Sequence, residues 1–207
     1  MMSFPDVPLP VLQSSRVPVW DRSRMQLVLA ALQARTLAPG PALPAAAAPA
    51  PSPRSAQEQA RFETALIGLF EHKIAFNQVL GLKVLSVRPG DVRARIAMKP
   101  DLIGSYTHGR LHGGVISSVL DAMGGLAIMV GIAERHPHDN APQVMSRFAK
   151  MGTIDLRIDF LRQGIGQHFI ASAEVTRLGG RVASTQMRFV NDEGTLIATG
   201  AASFIVS

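Results

Sequence analysis

The 207-residue chain contains no cysteine, which excludes disulfides, thiolate chemistry and cysteine-based metal sites. Its charge is never concentrated. The net charge is +6, yet the basic residues are scattered and no run of five like charges occurs. Aromatic residues make up only 5% of the chain, with one Trp and one Tyr, too few for a platform on which bases stack. With no nucleic-acid motif either, the basic balance points to an anionic small molecule rather than to nucleic acid. No secretory leader is legible: the apolar run at 25–32 is short, is interrupted by Gln26 and follows Asp21. These features describe a soluble, cytoplasmic protein. Its 47% hydrophobic content is ample for a core.

One stretch dominates: Leu111-His-Gly-Gly-Val-Ile-Ser-Ser-Val-Leu-Asp-Ala-Met-Gly-Gly125. Val115, Val119, Met123 and Leu126 recur at spacings of four, four and three, and Ile116, Leu120 and Ala127 widen that stripe. The spacing predicts a central helix that is apolar nearly all round. It is also the only candidate for a membrane span, but Asp121, two serines and several glycines favour a soluble core helix. Gly113 and Gly114 fall in its first turn, where N–H groups lack intrahelical partners and the dipole is positive. Without a Cβ, such a turn admits a polarised carbonyl oxygen. Ser117, Asp121 and Gly125, four apart, form a small polar groove on this helix. A carboxylate in such a setting needs a partner or a task. Asp121 is thus a structural acid or a reactive one.

Around this helix the chain divides in two. Residues 1–57 hold prolines at 5, 8, 10 and 18, a short candidate helix from Asp21 to Thr36 preceded by Trp20, and a Pro/Ala-rich linker over 39–53. Residues 1–54 are expected to be dispensable for chemistry, since a chain starting at Ser55 keeps the cap and every candidate site residue. Residues 58–207 form the folded domain. Ser55-Ala-Gln-Glu58 reads as a capping box opening a helix with Phe62, Leu66, Leu69, Phe70 and Phe76, ended by Gly81. Pro89-Gly90 joins two strands into a hairpin, and a loop at 100–110 leads to the central helix. The segment 134–151 reads as a solvated loop. Its His136, His138 and Asp139 have no further ligand set, so no metal is assigned. From Gly152 the chain alternates in strand fashion over 153–160 and 167–177, makes a tight turn at Gly179-Gly180, and alternates again over 181–191 and 195–206. One internal helix followed by successive hairpins is an α+β pattern with an antiparallel sheet, not a chain of βαβ units.

His112-Gly113-Gly114, with Asp121 nine residues after the histidine, resembles the hotdog-fold acyl-CoA thioesterases of the phenylacetyl-CoA thioesterase (PaaI-like) type, over roughly residues 58–206. The resemblance implies a sheet wrapped around the central helix. It implies hydrolysis of an acyl-CoA with no separate cofactor, coenzyme A being part of the substrate. The Gly113 N–H would polarise the thioester carbonyl, Gly114 lying beside it, and Asp121 would act as base or nucleophile. His112 would position the site or simply cap the helix. Thr153 stands where relatives place a Ser or Thr that orients the water or the acid. Relatives often carry Asn or Gln six residues before the histidine, where this chain has Tyr106. Arg162, Arg177, Gly180 and Arg181 fall in loops where relatives hold pantetheine and nucleotide. Met123, Leu126, Met129 and Phe160 are candidates for an acyl tunnel as well as for plain core.

The long run from Leu111 to Gly125 is similar to bacterial medium- and long-chain acyl-CoA thioesterases and favours fatty acyl over aryl substrates. Gly113 and Asp121 are about 12 Å apart along one helix, so a homodimer, or a tetramer of two dimers, is expected to share each site. Two alternatives remain. One is a non-catalytic acyl-CoA-binding hotdog module, for which the first 57 residues offer no helix-turn-helix. The other is a hotdog dehydratase, whose His and Asp typically follow a different local pattern.

Overall fold

In the computed structural model, residues 52–207 are described. The candidate helix at 21–36, Trp20 and most of the Pro/Ala linker lie outside these residues. The elements run α1 (Ala56–Gly68), α2 (Ala75–Leu80), β1 (Lys83–Arg88), β2 (Asp91–Ala97), β3 (Ile103–Ser105), β4 (Arg110–Leu111), α3 (Gly113–Arg135), α4 (Ala141–Ser146), β5 (Gly152–Phe160), β6 (His168–Leu178), β7 (Val182–Asn191) and β8 (Leu196–Ile205). Six strands form one antiparallel sheet in the order β1-β2-β6-β7-β8-β5, while β3 and β4 pair as a separate small hairpin.

The sheet wraps α3, the helix read from the 3.6-residue stripe. Val119, Leu120, Met123, Leu126 and Ile128 are fully buried on it. They meet the inward faces of β6 (Phe169, Ala171), β7 (Met187, Phe189) and β8 (Ala198, Ala202, Phe204), all buried. Phe169 and Phe189 stack at 5.3 Å. The helix is long and apolar enough to cross a membrane, with mean hydropathy 1.9, but about two thirds of that apolar window is buried inside this domain. Gly124 shows how close the packing is. A Cβ there would lie 3.0 Å from the Phe204 ring and from Thr185 Oγ1, so only glycine lets helix and sheet approach this far.

The helix before β1 differs from the continuous one expected. It breaks into α1, a π-helical turn over Leu69–Lys73, and α2, with Ile74 in extended conformation between them. The Ile74 N–H donates to Leu69 O (3.0 Å), and Asn77 Nδ2 donates to Phe70 O (3.1 Å), holding the turn. Glu71 fixes it to β1 by accepting from the Val84 N–H and Lys83 Nζ, each at 2.8 Å. Burial opposes ionisation of this carboxyl, but the Lys83 and Val84 bonds outweigh it and hold its pKa below the ordinary range. Gly81, at φ +70°, ends α2 as expected.

Two cap assignments change. Ser55 accepts from the Glu58 N–H (3.2 Å), but Glu58 does not reciprocate. Its carboxylate accepts from the Ala141 N–H (3.2 Å) and pairs with Arg61 (2.6 Å). A full capping box occurs instead at Asn140 and Gln143, inside the segment read as a polar loop. That segment holds α4, and its Ala141, Val144 and Phe148 are buried. Ala141, Val144, Met145, Phe148 and Met151 do recur at helical spacing, and reading the segment as one polar loop from its charged start passes over them. The β6–β7 connection is also not a two-glycine turn. Three residues separate the strands, neither Gly179 nor Gly180 has positive φ, and Gly179 is required because a Cβ would meet Val182 O at 2.5 Å.

The folded unit reaches back past the expected boundary. Arg54 lies across the C-terminal end of α3, donating to Ala133 O (3.1 Å), His136 O (3.2 Å) and Asp139 O (2.9 Å), with its guanidinium 5.4 Å from the centre of the Phe62 ring. It supplies donors to carbonyls that a helix end leaves without partners, at the negative pole of the dipole. Arg54→Ala in the full chain is expected to cost about 1–3 kcal/mol, lowering Tm by about 2–4 °C for each kcal/mol. An unchanged melting curve in scanning calorimetry would show that the docking is incidental.

Candidate active site

The N-terminus of α3 is assembled from three directions. His112 is the N-cap, and its Nδ1 accepts from the Gly114 N–H at 2.9 Å. That bond leaves the proton of the neutral ring on Nε2. Gly104 on β3 makes room for this arrangement, since a Cβ there would lie 2.6 Å from His112 Cα. Phe160, at the end of β5, covers the same turn, and its ring would sit 3.4 Å from a Cβ on Gly113. Gly114 therefore spends its N–H on His112 and does not offer it to a ligand. The Gly113 N–H has no acceptor among the described residues and stands at the positive end of a 23-residue helix. An N–H so placed is the kind of donor that stabilises a carbonyl oxygen gaining charge.

Two turns on, Asp121 accepts from Thr153 Oγ1 at 2.8 Å. Thr153 lies at the start of β5, so the helix and the edge strand together fix the carboxylate. Oδ1 is held and Oδ2 has no protein partner among the described residues, the arrangement a general base or a nucleophile needs. Asp121 opens on a cavity of about 300 Å³ shared with Ser118, Gly125 and a set of apolar side chains. Ser118, not Ser117, is its neighbour there. Both serines bond back to the helix, Ser117 to Gly113 O (3.1 Å) and Ser118 to Gly114 O (2.7 Å).

The remaining candidates disperse. Tyr106 is 93% exposed at the tip of the β3–β4 hairpin. Beside it Ser105, Thr107 and His108 bond one another, with Thr107 Oγ1 and His108 Nδ1 2.8 Å apart. Arg162 donates to Leu196 O (3.0 Å). Its loop packs against the start of α3, because Gly164 O accepts the Leu111 N–H at 2.8 Å. Arg177, Gly180 and Arg181 are exposed around the β6–β7 turn, to which Arg135 at the far end of α3 bonds through Gly179 O (2.8 Å) and Leu178 O. The two groups of arginines therefore sit at opposite ends of α3, separated by about 33 Å of helix at the standard rise. Met123 and Leu126 are core, while Met129 lines the Asp121 cavity. Sequence reasoning missed Ile74, Asn77 and Met151, which also line it. Ile74 and Asn77 come from the break after the π turn and from α2, and Met151 from the end of the α4 segment, none of which the sequence pattern places near Asp121. Among the described residues no three His, Asp or Glu side chains gather as a metal site.

A sequence model described as the thioesterase superfamily matches residues 108–198, which include Gly113, Asp121 and Thr153. The chain is 33% identical over 142 residues to the medium/long-chain acyl-CoA thioesterase YigI of Escherichia coli K12, covering 68% of this chain and 92% of that protein. A solved Shewanella oneidensis protein related to the thioesterase superfamily superposes with TM-score 0.68 at 35% identity, over 74% of this chain and all of that one. Zebrafish thioesterase superfamily member 2, at 23% identity and TM-score 0.55, shares the fold over 69% of this chain and 94% of its own.

If Asp121 is the reacting acid, Asp121→Asn lowers thioester hydrolysis at least about a hundredfold in a protein with unchanged circular dichroism. Thr153→Ala, which frees the carboxylate to rotate, is expected to lower kcat about fivefold to tenfold, and Thr153→Ser to recover most of it. Near-normal turnover by Asp121→Asn would end the assignment.

Proposed function

The chain belongs to the thioesterase superfamily and has its hotdog fold, and from that premise we propose that it hydrolyses medium- or long-chain fatty acyl-CoA thioesters to free acid and coenzyme A. The observation that carries this reading is the held carboxylate of Asp121, bonded by Thr153 and opening on an apolar cavity, on the same helix whose first turn presents the Gly113 N–H. The relative named above as a medium/long-chain acyl-CoA thioesterase supports the substrate class.

In this reading the carbonyl oxygen accepts from the Gly113 N–H while the helix dipole stabilises the charge it gains. Asp121 takes a proton from water as the water oxygen attacks the carbonyl carbon, or attacks that carbon itself through Oδ2. The tetrahedral intermediate collapses with cleavage of the C–S bond, and the thiolate of coenzyme A leaves and is protonated. In the nucleophilic variant water then hydrolyses the acyl-aspartate. Thr153 is a positioning residue in both versions, and His112 keeps the Gly113 turn in shape.

Gly113 and Asp121 of one chain are too far apart to act on one carbon, so the proposed site takes Gly113 from one copy and Asp121 from a second, related by a twofold axis. The sheet supports such pairing. β5 is an edge strand of nine residues, and Ile154 (58% exposed), Phe160 (55%) and Leu161 lie open along it. An edge of this kind favours a second chain. We also assign the phosphates of coenzyme A to the exposed arginines, either Arg162 beside the start of α3 or Arg177 and Arg181 at its far end, since the two groups lie too far apart in one chain to hold one molecule together. A soluble, cytoplasmic location fits this substrate.

The test is a panel of acyl-CoAs with a thiol-trapping dye. Release of free coenzyme A from medium- and long-chain substrates is expected, whereas binding without release would favour a non-catalytic acyl-CoA-binding module. Replacing Arg162, Arg177 and Arg181 together by Ala should raise KM for acyl-CoA about fivefold to tenfold, in the range of three exposed ion pairs, with far less effect on an acyl-pantetheine. Equal losses on both substrates would remove the arginines from the phosphate site.

A further inference from the structure

The cavity beside Asp121 changes character along its length. Its wall on α3 is one helix face, Ser118, Asp121, Ala122, Gly125 and Met129. Polar groups (Ser118, Asp121 and Thr153 opposite) stand at one end. About 12 Å further along the helix stands Met129, and the other walls include Phe70, Ile74, Phe76, Met151 and Phe204. A carboxylate at the mouth of a greasy slot fits a ligand with one reactive polar group and a flexible hydrocarbon tail. Methionine walls suit such a tail because they repack around it.

Gly125 is the anomalous residue in this wall. Glycine in a helix interior is less favourable than alanine, so it needs a reason. Gly124 has one in the 3.0 Å approach of Phe204 and Thr185. Gly125 does not. A Cβ there would meet only Met151 Cε at 3.5 Å and Phe204 Cε1 at 3.8 Å, ordinary contacts that a methyl group tolerates. What the missing side chain leaves is space in the cavity. We infer that this cavity seats the acyl chain and that Gly125, with Met151 facing it, sets the chain length the enzyme accepts. The inference rests on the thioesterase reading and deepens it. From Asp121 to Met129 the slot runs about 12 Å at the standard helical rise, shorter than a fully extended long acyl chain. The preferred substrate is accordingly a medium-chain acyl-CoA.

The full chain is compared with Gly125→Ala, Gly125→Val and Met151→Ala by two measurements. One is kcat/KM for butyryl-, decanoyl- and hexadecanoyl-CoA. The other is calorimetric affinity for non-hydrolysable thioether analogues of the same three lengths. For the unmodified chain both should rise from four to ten carbons and gain nothing at sixteen. Each buried methylene is worth about fourfold, so Gly125→Val, filling space for two or three carbons, should cut the decanoyl-to-butyryl ratio at least about tenfold. Met151→Ala should move the optimum to longer chains. Gly125→Ala should raise Tm by about 2–4 °C while lowering the same ratio, a combination that a purely structural glycine does not give. Hydrolysis with chain-length ratios unchanged in all three variants would overturn the inference and leave the thioesterase reading intact. Length-dependent, Gly125-sensitive analogue binding with no hydrolysis would defeat that reading and uphold the pocket.

Discussion

Eight residues of one rigid helix separate the Gly113 N–H from the Asp121 carboxylate, and the helical rise turns them into about 12 Å. No side-chain rotation closes that gap, because glycine has no side chain and the aspartate reaches only a few ångströms. α3 thus carries both groups of the proposed chemistry on one element while preventing either from serving the other in the same chain. The proposed shared site follows from this spacing, and the open edge at β5 gives the second copy a place to pair. Thr153, at the start of that strand, ties Asp121 to the region where the copies would meet.

Glycine and burial let such a helix exist. α3 is apolar nearly all round because the sheet and the segments before β1 pack against most of it, and its glycines differ in purpose. Gly113 keeps the first turn open under Phe160, and Gly114 accommodates the His112 ring that bonds to it. Gly124 admits the Phe204 ring, and Gly125 leaves room in the cavity. The helix gives up intrinsic stability at each of these positions and regains it from tertiary packing, which supplies most helical stability in a folded domain. At the far end Arg54 supplies donors to the terminal carbonyls, so the helix is held at both ends by residues outside it.

Much of this was legible in the sequence because it is periodic or local. The 3.6-residue stripe marked α3, strict alternation marked β5 and β6, and Pro89-Gly90 and Gly81 marked a turn and a helix end. The Asp121–Thr153 contact was anticipated only through family resemblance, since residues 32 positions apart leave no local trace. The broken helix before β1 was not legible. The π turn depends on the long-range bonds of Glu71 to Lys83 and Val84, and continuous apolar spacing hides it. α4 was missed although Ala141, Val144, Met145, Phe148 and Met151 recur at helical spacing after an Asn140–Gln143 capping pattern, because the charged and histidine-rich residues just before it marked the whole segment as a loop. The arginines fell in loops, where pattern gives a residue's place in the chain but not which end of the helix it reaches.

The central claim is that one working site needs two copies, with Gly113 from one and Asp121 from the other. The most direct test mixes two inactive proteins. One carries Asp121→Asn. The other carries Gly113→Pro, which removes the N–H at a helix position where proline's fixed φ is tolerated. After subunit exchange, followed by differently tagged chains, the mixed dimer has one site with both defects and one with none. The account predicts that thiol release returns to about half the unmodified rate per mixed dimer. No recovery despite proven exchange, or full activity in a species shown by sedimentation to be a monomer, would contradict it.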